Sequence, residues 1–272
     1  MSDRSTVLGC TIDRLDGDAV VARVEQALST GEPLTIASVT KAKLVAMQRD
    51  AELRQVVEAA DVVTAEDRGV VLASRVARGK GLPGHVASNE LMRTLLSLAA
   101  RNGHRVYILG GALDVLERAI FVAGDRYPGL QVAGHHQGYF YGSHEEAAVA
   151  EEIGAQAPDL LFVAMPSPRK EYWVGRYGGD VNAKVVMGVG EDWTDHLVAK
   201  PQRGWRQAAS ANATFAGLLA RSLTGRSEPL ADRREADRRA TDRRRREHTT
   251  EVDRRESDRR GSGSDPRGTG AE

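Results

Sequence analysis

Two adjacent carboxylates, Glu66 and Asp67, lie within Val63-Thr-Ala-Glu-Asp-Arg-Gly-Val-Val71, where an apolar β-branched run gives way to a helical pattern. In an open α/β sheet, ligands bind just outside the carboxyl ends of the strands. A carboxylate at such a junction can act as a general base, taking a proton from an attacking hydroxyl. The same two residues can equally charge or cap the start of the helix, where the backbone dipole favours acids. Residue types alone leave both roles open.

Two glycine-bearing turns offer a second kind of chemistry. Gly110-Gly111 follows the run Val106 to Leu109 and precedes a helical pattern, and Gly188-Val-Gly190 closes another apolar run. Glycine at such a turn lets backbone approach a phosphate and presents helix N–H groups to it. It also serves where only steric space is needed. The full G-x-G-x-x-G pattern is absent, so neither turn identifies a nicotinamide cofactor, and no other cofactor is implied. His135 and His136 are adjacent rather than spaced for one face, and His144 falls in a polar loop, so no metal-ligand spacing is visible.

The elements that must position these groups alternate. Candidate strands are Leu34 to Val39, Asp61 to Thr64, Arg105 to Leu109, Gln131 to Ala133, Asp159 to Ala164 and Lys184 to Met187. Helical patterns lie near 41–59, 66–78, 89–102, 112–127, 143–156 and 168–177. Several strands are continuously apolar, as expected of strands buried on both faces. The alternation predicts an α/β fold, a Rossmann-like, mostly parallel sheet with helices on both faces, over residues 1–204.

Residues 205–224 read as an amphipathic helix, with Trp205, Ala208, Ala209, Phe215, Leu219 and Leu223 near one face. Packing on the domain and contact with a membrane surface are the two readings of that stripe. From 225 to 272 the chain changes character. It holds 14 Arg, no Lys and 12 acidic residues there, with Leu230 and Val252 as the only large aliphatics. Asp-Arg-Arg recurs at 232, 237, 242, 253 and 258, and so little apolar surface cannot offset ordering entropy. A disordered charged tail is the expectation. The body keeps 24 basic and 26 acidic residues, a balance that gives no basic stripe for nucleic acid. One cysteine, Cys10, excludes an internal disulfide framework and fits a reducing compartment. No apolar run reaches the roughly 18 residues a spanning helix needs. A soluble, cytoplasmic chain is expected.

Several segments together resemble the WecG/TagA/CpsF glycosyltransferase family. They are RDAELRQVVEAADVVTAEDRGVVLASRV (49–76), VYILGG (106–111), RYPGLQVAGHHQGYF (126–140), DLLFVAMPSPRKEYWV (159–174) and KVVMGVG (184–190). The resemblance runs from about residue 8 to residue 207. It implies an inverting transferase that moves an N-acetylmannosamine-type sugar from a UDP donor to a polyprenyl-diphosphate-linked saccharide in bacterial surface-polymer synthesis. Peripheral contact with the inner face of the plasma membrane and self-association are implied with it.

By the same resemblance, Glu66 stands where the family carries a catalytic Asp, and Asp67 takes the place of the following Gly. Ser38 and Thr40 match a Thr-x-Asn pair, and His85 matches an Arg. Pro168, Lys170 and Glu171 match a Pro-x-Gln-Glu motif in which Gln has become Lys. Tyr139, Gly110, Gly111, Gly188 and Gly190 complete the implied substrate-binding set. Lys170 brings a charge that could hold the departing diphosphate. The extra methylene of Glu66 moves its oxygens by roughly an ångström, a displacement that can cost about a hundredfold in rate. Altered specificity and lost activity are both compatible with these replacements. A non-catalytic relative that binds a nucleotide sugar, or a scaffold using the charged tail, is the alternative function.

Overall fold

The computed structural model describes residues 3–76, 80–140, 142–190, 192–194 and 215–223. The chain opens with a hairpin, β1 (Arg4–Val7) and β2 (Cys10–Asp13), joined by Leu8 and Gly9 at φ of 50° and 78°. Two positive φ values in a two-residue loop match the twist of antiparallel strands. Helix α1 (Gly17–Thr30) follows. Asp16 accepts a hydrogen bond from the Ala19 N–H, Gly31 ends the helix at φ 77°, and Val20, Val24, Ala27 and Leu28 form its buried stripe. The sequence reading above anticipates neither the hairpin nor this helix.

The remaining elements are β3 (Leu34–Val39), α2 (Lys41–Ala46), α3 (Ala51–Glu58), β4 (Val62–Ala65), α4 (Arg68–Val76), α5 (Ser88–Asn102), β5 (Arg105–Leu109), α6 (Leu113–Arg126), β6 (Gln131–His136), α7 (Ser143–Gln156), β7 (Leu160–Val163), α8 (Arg169–Tyr177) and β8 (Val185–Gly188). Strands β3 to β8 form one six-stranded sheet in the order β4-β3-β8-β7-β5-β6, with every neighbouring pair parallel. The expected parallel α/β sheet is therefore what the chain builds.

Alternation along the strands explains the two covered faces. Val106, Ile108, Leu160, Phe162, Val185 and Met187 pack with α1, α5 and α6. Tyr107, Leu109, Leu161, Val163 and Val186 point the other way, toward α7 and α8. On that second side Val39, Val63 and Ala65 meet α2, α3, α4 and the hairpin, whose Cys10 thiol is buried. Burial, and less so the charge of Glu58, pushes that thiol up to about 12.

Several element bounds differ from expectation, each for a local reason. The helix expected over 41–59 is two helices, because Asp50 turns its side chain to the Leu53 N–H and starts α3. Helix α4 begins at Arg68 rather than 66, since Asp67 caps it. β6 runs three residues beyond Ala133, to His136, along β5. The strands expected from Asp61, Asp159 and Lys184 each start one residue later. Asp61 and Asp159 instead turn their carboxylates to the Thr35 and Arg105 N–H groups. Of the amphipathic segment 205–224, residues 215–223 are described and helical, and Phe215, Leu218 and Leu219 pack against the α2–α4 cluster. The rest of that segment and the tail from 225 lie outside the described residues.

Candidate active site

All six strands are parallel, so their carboxyl ends share one edge, and the expected site residues come from segments leaving that edge. Glu66 continues the ladder one step past β4, its N–H donating to the Val39 carbonyl at 3.0 Å. Its Oε1 accepts from both the N–H (2.9 Å) and the hydroxyl (2.8 Å) of Ser88, the first residue of α5. Helix α5 has no side-chain cap of its own at Ala87, so Glu66 supplies one across the chain. The other oxygen, Oε2, is buried without a hydrogen-bond partner among the described residues.

Asp67 is occupied differently. Its Oδ1 accepts from Gly69 N–H (2.9 Å) and Val70 N–H (3.1 Å), and its Oδ2 from Lys41 N–H (3.0 Å). Both oxygens are committed to backbone, capping α4 and tying it to the start of α2. The two neighbouring carboxylates thereby differ: Asp67 has both oxygens bonded to backbone N–H groups, while Glu66 has one oxygen bonded and one buried without a hydrogen-bond partner among the described residues.

At the end of β3, Thr40 caps α2 by accepting from the Lys43 N–H at 3.0 Å. The Lys43 ammonium turns inward, donating to the Ser38 carbonyl at 2.5 Å and pairing with Glu171 Oε1 at 2.6 Å. Both side chains are about 5% exposed, which makes this a fully buried ion pair. Glu171 Oε2, like that of Glu66, is buried without a hydrogen-bond partner among the described residues. Next to it, Lys170 donates to the Val189 carbonyl at 2.7 Å and is itself buried. The charge expected to face a diphosphate thus also holds the turn after β8. Tyr172 fixes α8 to the α2–α3 loop by donating to the Asp50 carboxylate; burial and that bond push its hydroxyl up to about 12.

The Gly188–Gly190 turn meets α5. A Cβ on Gly190 would stand 2.7 Å from Asp192 Oδ1 and 3.2 Å from Asn89 Nδ2, so only glycine fits between them. Asn89 donates to Asp192 at 3.0 Å, while its Oδ1 is a third buried acceptor without a partner. These contacts close a circuit around the ends of β4, β3 and β8. It runs from Glu66 to Ser88 and Asn89, on to Gly190 and Val189, through Lys170 and Glu171 to Lys43 and Ser38, and back through Val39.

A second cluster gathers at the ends of β5, β7 and β6. The chain leaves β5 toward the face carrying α6 and leaves β7 toward the face carrying α8, the reversal beside which open α/β sheets bind ligands. Gly110, at φ 125°, has room for no Cβ, because Ala164 backbone atoms lie 2.5 Å from that position. Gly111, at φ 93°, faces open space. Pro168 stands exposed before α8, and Tyr139 is exposed beside Phe140, whose ring stacks on His136 and lies 5.0 Å from the Arg169 guanidinium.

His85 makes none of the contacts named in the two clusters, although the next residue, Val86, donates its N–H to the Ala65 carbonyl at 2.7 Å. His85 is exposed, lining a cavity of about 390 Å³ with Arg68, Val71, Leu72, Arg75 and Gly84. Among the described residues no group of three His, Cys, Asp or Glu gathers as a metal site. Sequence reasoning missed Lys43 and Asn89. Lys43 carried a signal: it sits four residues before the buried Met47 and beside Leu44, a core register for a charged residue. Asn89 carried none.

A family model described as "Glycosyl transferase WecG/TagA/CpsF family" matches residues 5–192. A Bacillus spizizenii protein named N-acetylglucosaminyldiphosphoundecaprenol N-acetyl-beta-D-mannosaminyltransferase is 32% identical over 135 residues, covering 50% of this chain and 51% of that protein. A Staphylococcus aureus protein of the same name is 33% identical over 136 residues, covering 50% and 52%. The chain spans about half the length of the curated relatives it matches.

Proposed function

The chain belongs to the WecG/TagA/CpsF glycosyl transferase family, and from that premise we propose that it moves an N-acetylhexosamine from a UDP-sugar to a polyprenyl-diphosphate-linked saccharide, with inversion. The observation that carries this reading is the state of Glu66. One oxygen is held by two Ser88 donors and the other has no hydrogen-bond partner among the described residues, at the strand edge where a substrate hydroxyl must arrive. Glu66 takes the proton from that hydroxyl as its oxygen attacks the anomeric carbon. The bond from the anomeric carbon to the UDP oxygen breaks on the opposite face, and UDP departs with the electron pair. The Gly110-Gly111 turn, the 167–171 segment and the Gly188–Gly190 turn hold the nucleotide diphosphate, glycine allowing the close approach.

The lipid-linked acceptor fits the cavity that α4 lines together with His85. Arg68 and Arg75 stand two turns apart on α4 with the exposed Leu72 between them, and neither arginine pairs with a carboxylate among the described residues. Guanidinium groups suit a diphosphate, and the aliphatic strip suits a prenyl chain. In this reading the acceptor is met at the membrane surface; among the described residues no helix is long and apolar enough to cross a membrane. Calorimetric titration of the full chain with UDP, UDP-N-acetylmannosamine and UDP-N-acetylglucosamine tests the donor side. Micromolar uptake supports the reading. Absence of heat with all three removes the donor site and leaves a scaffold.

A further inference from the structure

Three of the four buried polar side-chain atoms without a partner among the described residues belong to one circuit: Glu66 Oε2, Asn89 Oδ1 and Glu171 Oε2. Natural folds keep few such atoms, since each costs about 1–3 kcal/mol. All three are acceptors. A phosphate, itself only an acceptor, cannot satisfy them, and two carboxylates repel it. A ligand that relieves them must bring donors and no negative charge of its own to these oxygens. The hydroxyls and single amide N–H of an N-acetylhexosamine do so.

The circuit also explains why each acceptor stays aimed. Glu66 is held through Oε1 by Ser88, and Asn89 through Nδ2 by Asp192. Glu171 is held through Oε1 by Lys43, which is anchored in turn on the Ser38 carbonyl. In every case one polar atom is tied down and its twin is left over. A buried ion pair such as Lys43–Glu171 is seldom the most stable filling of a core, because desolvation of both charges offsets their attraction. Its value here is orientation.

We infer that Asn89 and Glu171 form the subsite for the transferred sugar beside the base Glu66, and that Lys43 is the positioning residue that presents Glu171 to it. This rests on the donor reading given above and adds to it the sugar end of the donor, with Asn89 as a contact residue. The three oxygens are closed to water in this structure, so the sugar reaches them by displacing side chains of the circuit. The diphosphate lies clear of these acceptor oxygens, toward the Gly110-Gly111 turn.

The test separates sugar from nucleotide. UDP and UDP-N-acetylglucosamine, or whichever UDP-N-acetylhexosamine the wild type takes up, are titrated into wild type, Asn89→Ala, Lys43→Met and Lys43→Arg. Asn89→Ala weakens the sugar nucleotide about three- to tenfold and leaves UDP unchanged, the scale of one neutral hydrogen bond. Lys43→Met weakens it about ten- to hundredfold, again sparing UDP, and Lys43→Arg recovers part of the loss by keeping the charge. Unchanged UDP affinity doubles as proof that each variant is folded. Should Lys43→Met fail to fold, Asn89→Ala decides alone. Equal losses for UDP and the sugar nucleotide, or no loss for either, overturn the subsite while leaving the donor reading intact. A wild type that takes up neither UDP nor any sugar nucleotide overturns that reading and the subsite with it.

Discussion

Replacing Asp67 by alanine separates the two carboxylates that the sequence leaves equivalent. Asp67 accepts three backbone N–H groups, two in the first turn of α4 and one at Lys41. Loss of an N-cap costs about 1 kcal/mol, within a range of roughly 0.5–2. The bond to Lys41 N–H is charge-assisted and adds about 1.5 kcal/mol more. The expected destabilisation is therefore about 2–3 kcal/mol. For a folded body of this size each kcal/mol lowers the melting temperature by roughly 2–4 °C, so a fall of about 4–12 °C follows. Thermal unfolding followed by circular dichroism reads it directly. Transfer measured well below the transition stays within about tenfold of wild type, because both Asp67 oxygens are held by backbone N–H groups. An unchanged melting temperature with abolished transfer would refute this reasoning and make Asp67 the base.

Three further outcomes follow from the geometry. Gly110→Ala forces a Cβ onto Ala164 backbone at 2.5 Å and costs about 3 kcal/mol or more, whereas Gly111→Ala carries only φ strain of about 1–3 kcal/mol; urea unfolding that shows equal effects would contradict the difference. Burial raises the Asp159 carboxyl, but hydrogen bonds from Lys184 and the Arg105 N–H, with the charges of Lys184 and His104, outweigh it and hold the group below its ordinary 3.8. Its contribution is therefore present above that ordinary value and is lost as pH falls through the lowered one, so Asp159→Asn is less stable than wild type at neutral pH and the gap narrows in acid. A gap that widens in acid would reverse the sign. Arg68→Gln combined with Arg75→Gln raises KM for a short-chain prenyl-diphosphate-linked acceptor about ten- to hundredfold and leaves KM for the donor unchanged; a rise in both would place the arginines elsewhere in function.

The sheet was legible because its strands are buried on both faces, and Val-Tyr-Ile-Leu or Leu-Leu-Phe-Val admits little else. The hairpin escaped notice because Arg4–Val7 and Cys10–Asp13 are four residues each and mix polar with apolar types. The break between α2 and α3 was hidden because Asp50 reads as one polar residue on a helix until its side chain is seen to cap the next one. Within the site, Glu66 was legible from its place after a strand, but its separation from Asp67 was not. That depends on which backbone N–H groups come within reach, and Ser88 is twenty-two residues away from Glu66. Lys170 was legible as a charge, but its hydrogen bond to the Val189 carbonyl was not, since that needs the fold. Lys43 and Asn89 acquire meaning only from α8 and the β8 turn, which the fold brings to them from more than one hundred residues along the chain.

The most direct measurement is UDP release when the full chain is mixed with a UDP-N-acetylhexosamine and a prenyl-diphosphate-linked N-acetylglucosamine, for wild type and Glu66→Gln side by side. Gln keeps the carbonyl that accepts from Ser88, so melting temperature and UDP affinity hold while the basic oxygen is gone. Release by wild type that requires the acceptor, falling about 10²- to 10⁴-fold in Glu66→Gln, is the expected result. Release by Glu66→Gln at the wild-type rate, or none from wild type with any donor, would contradict it.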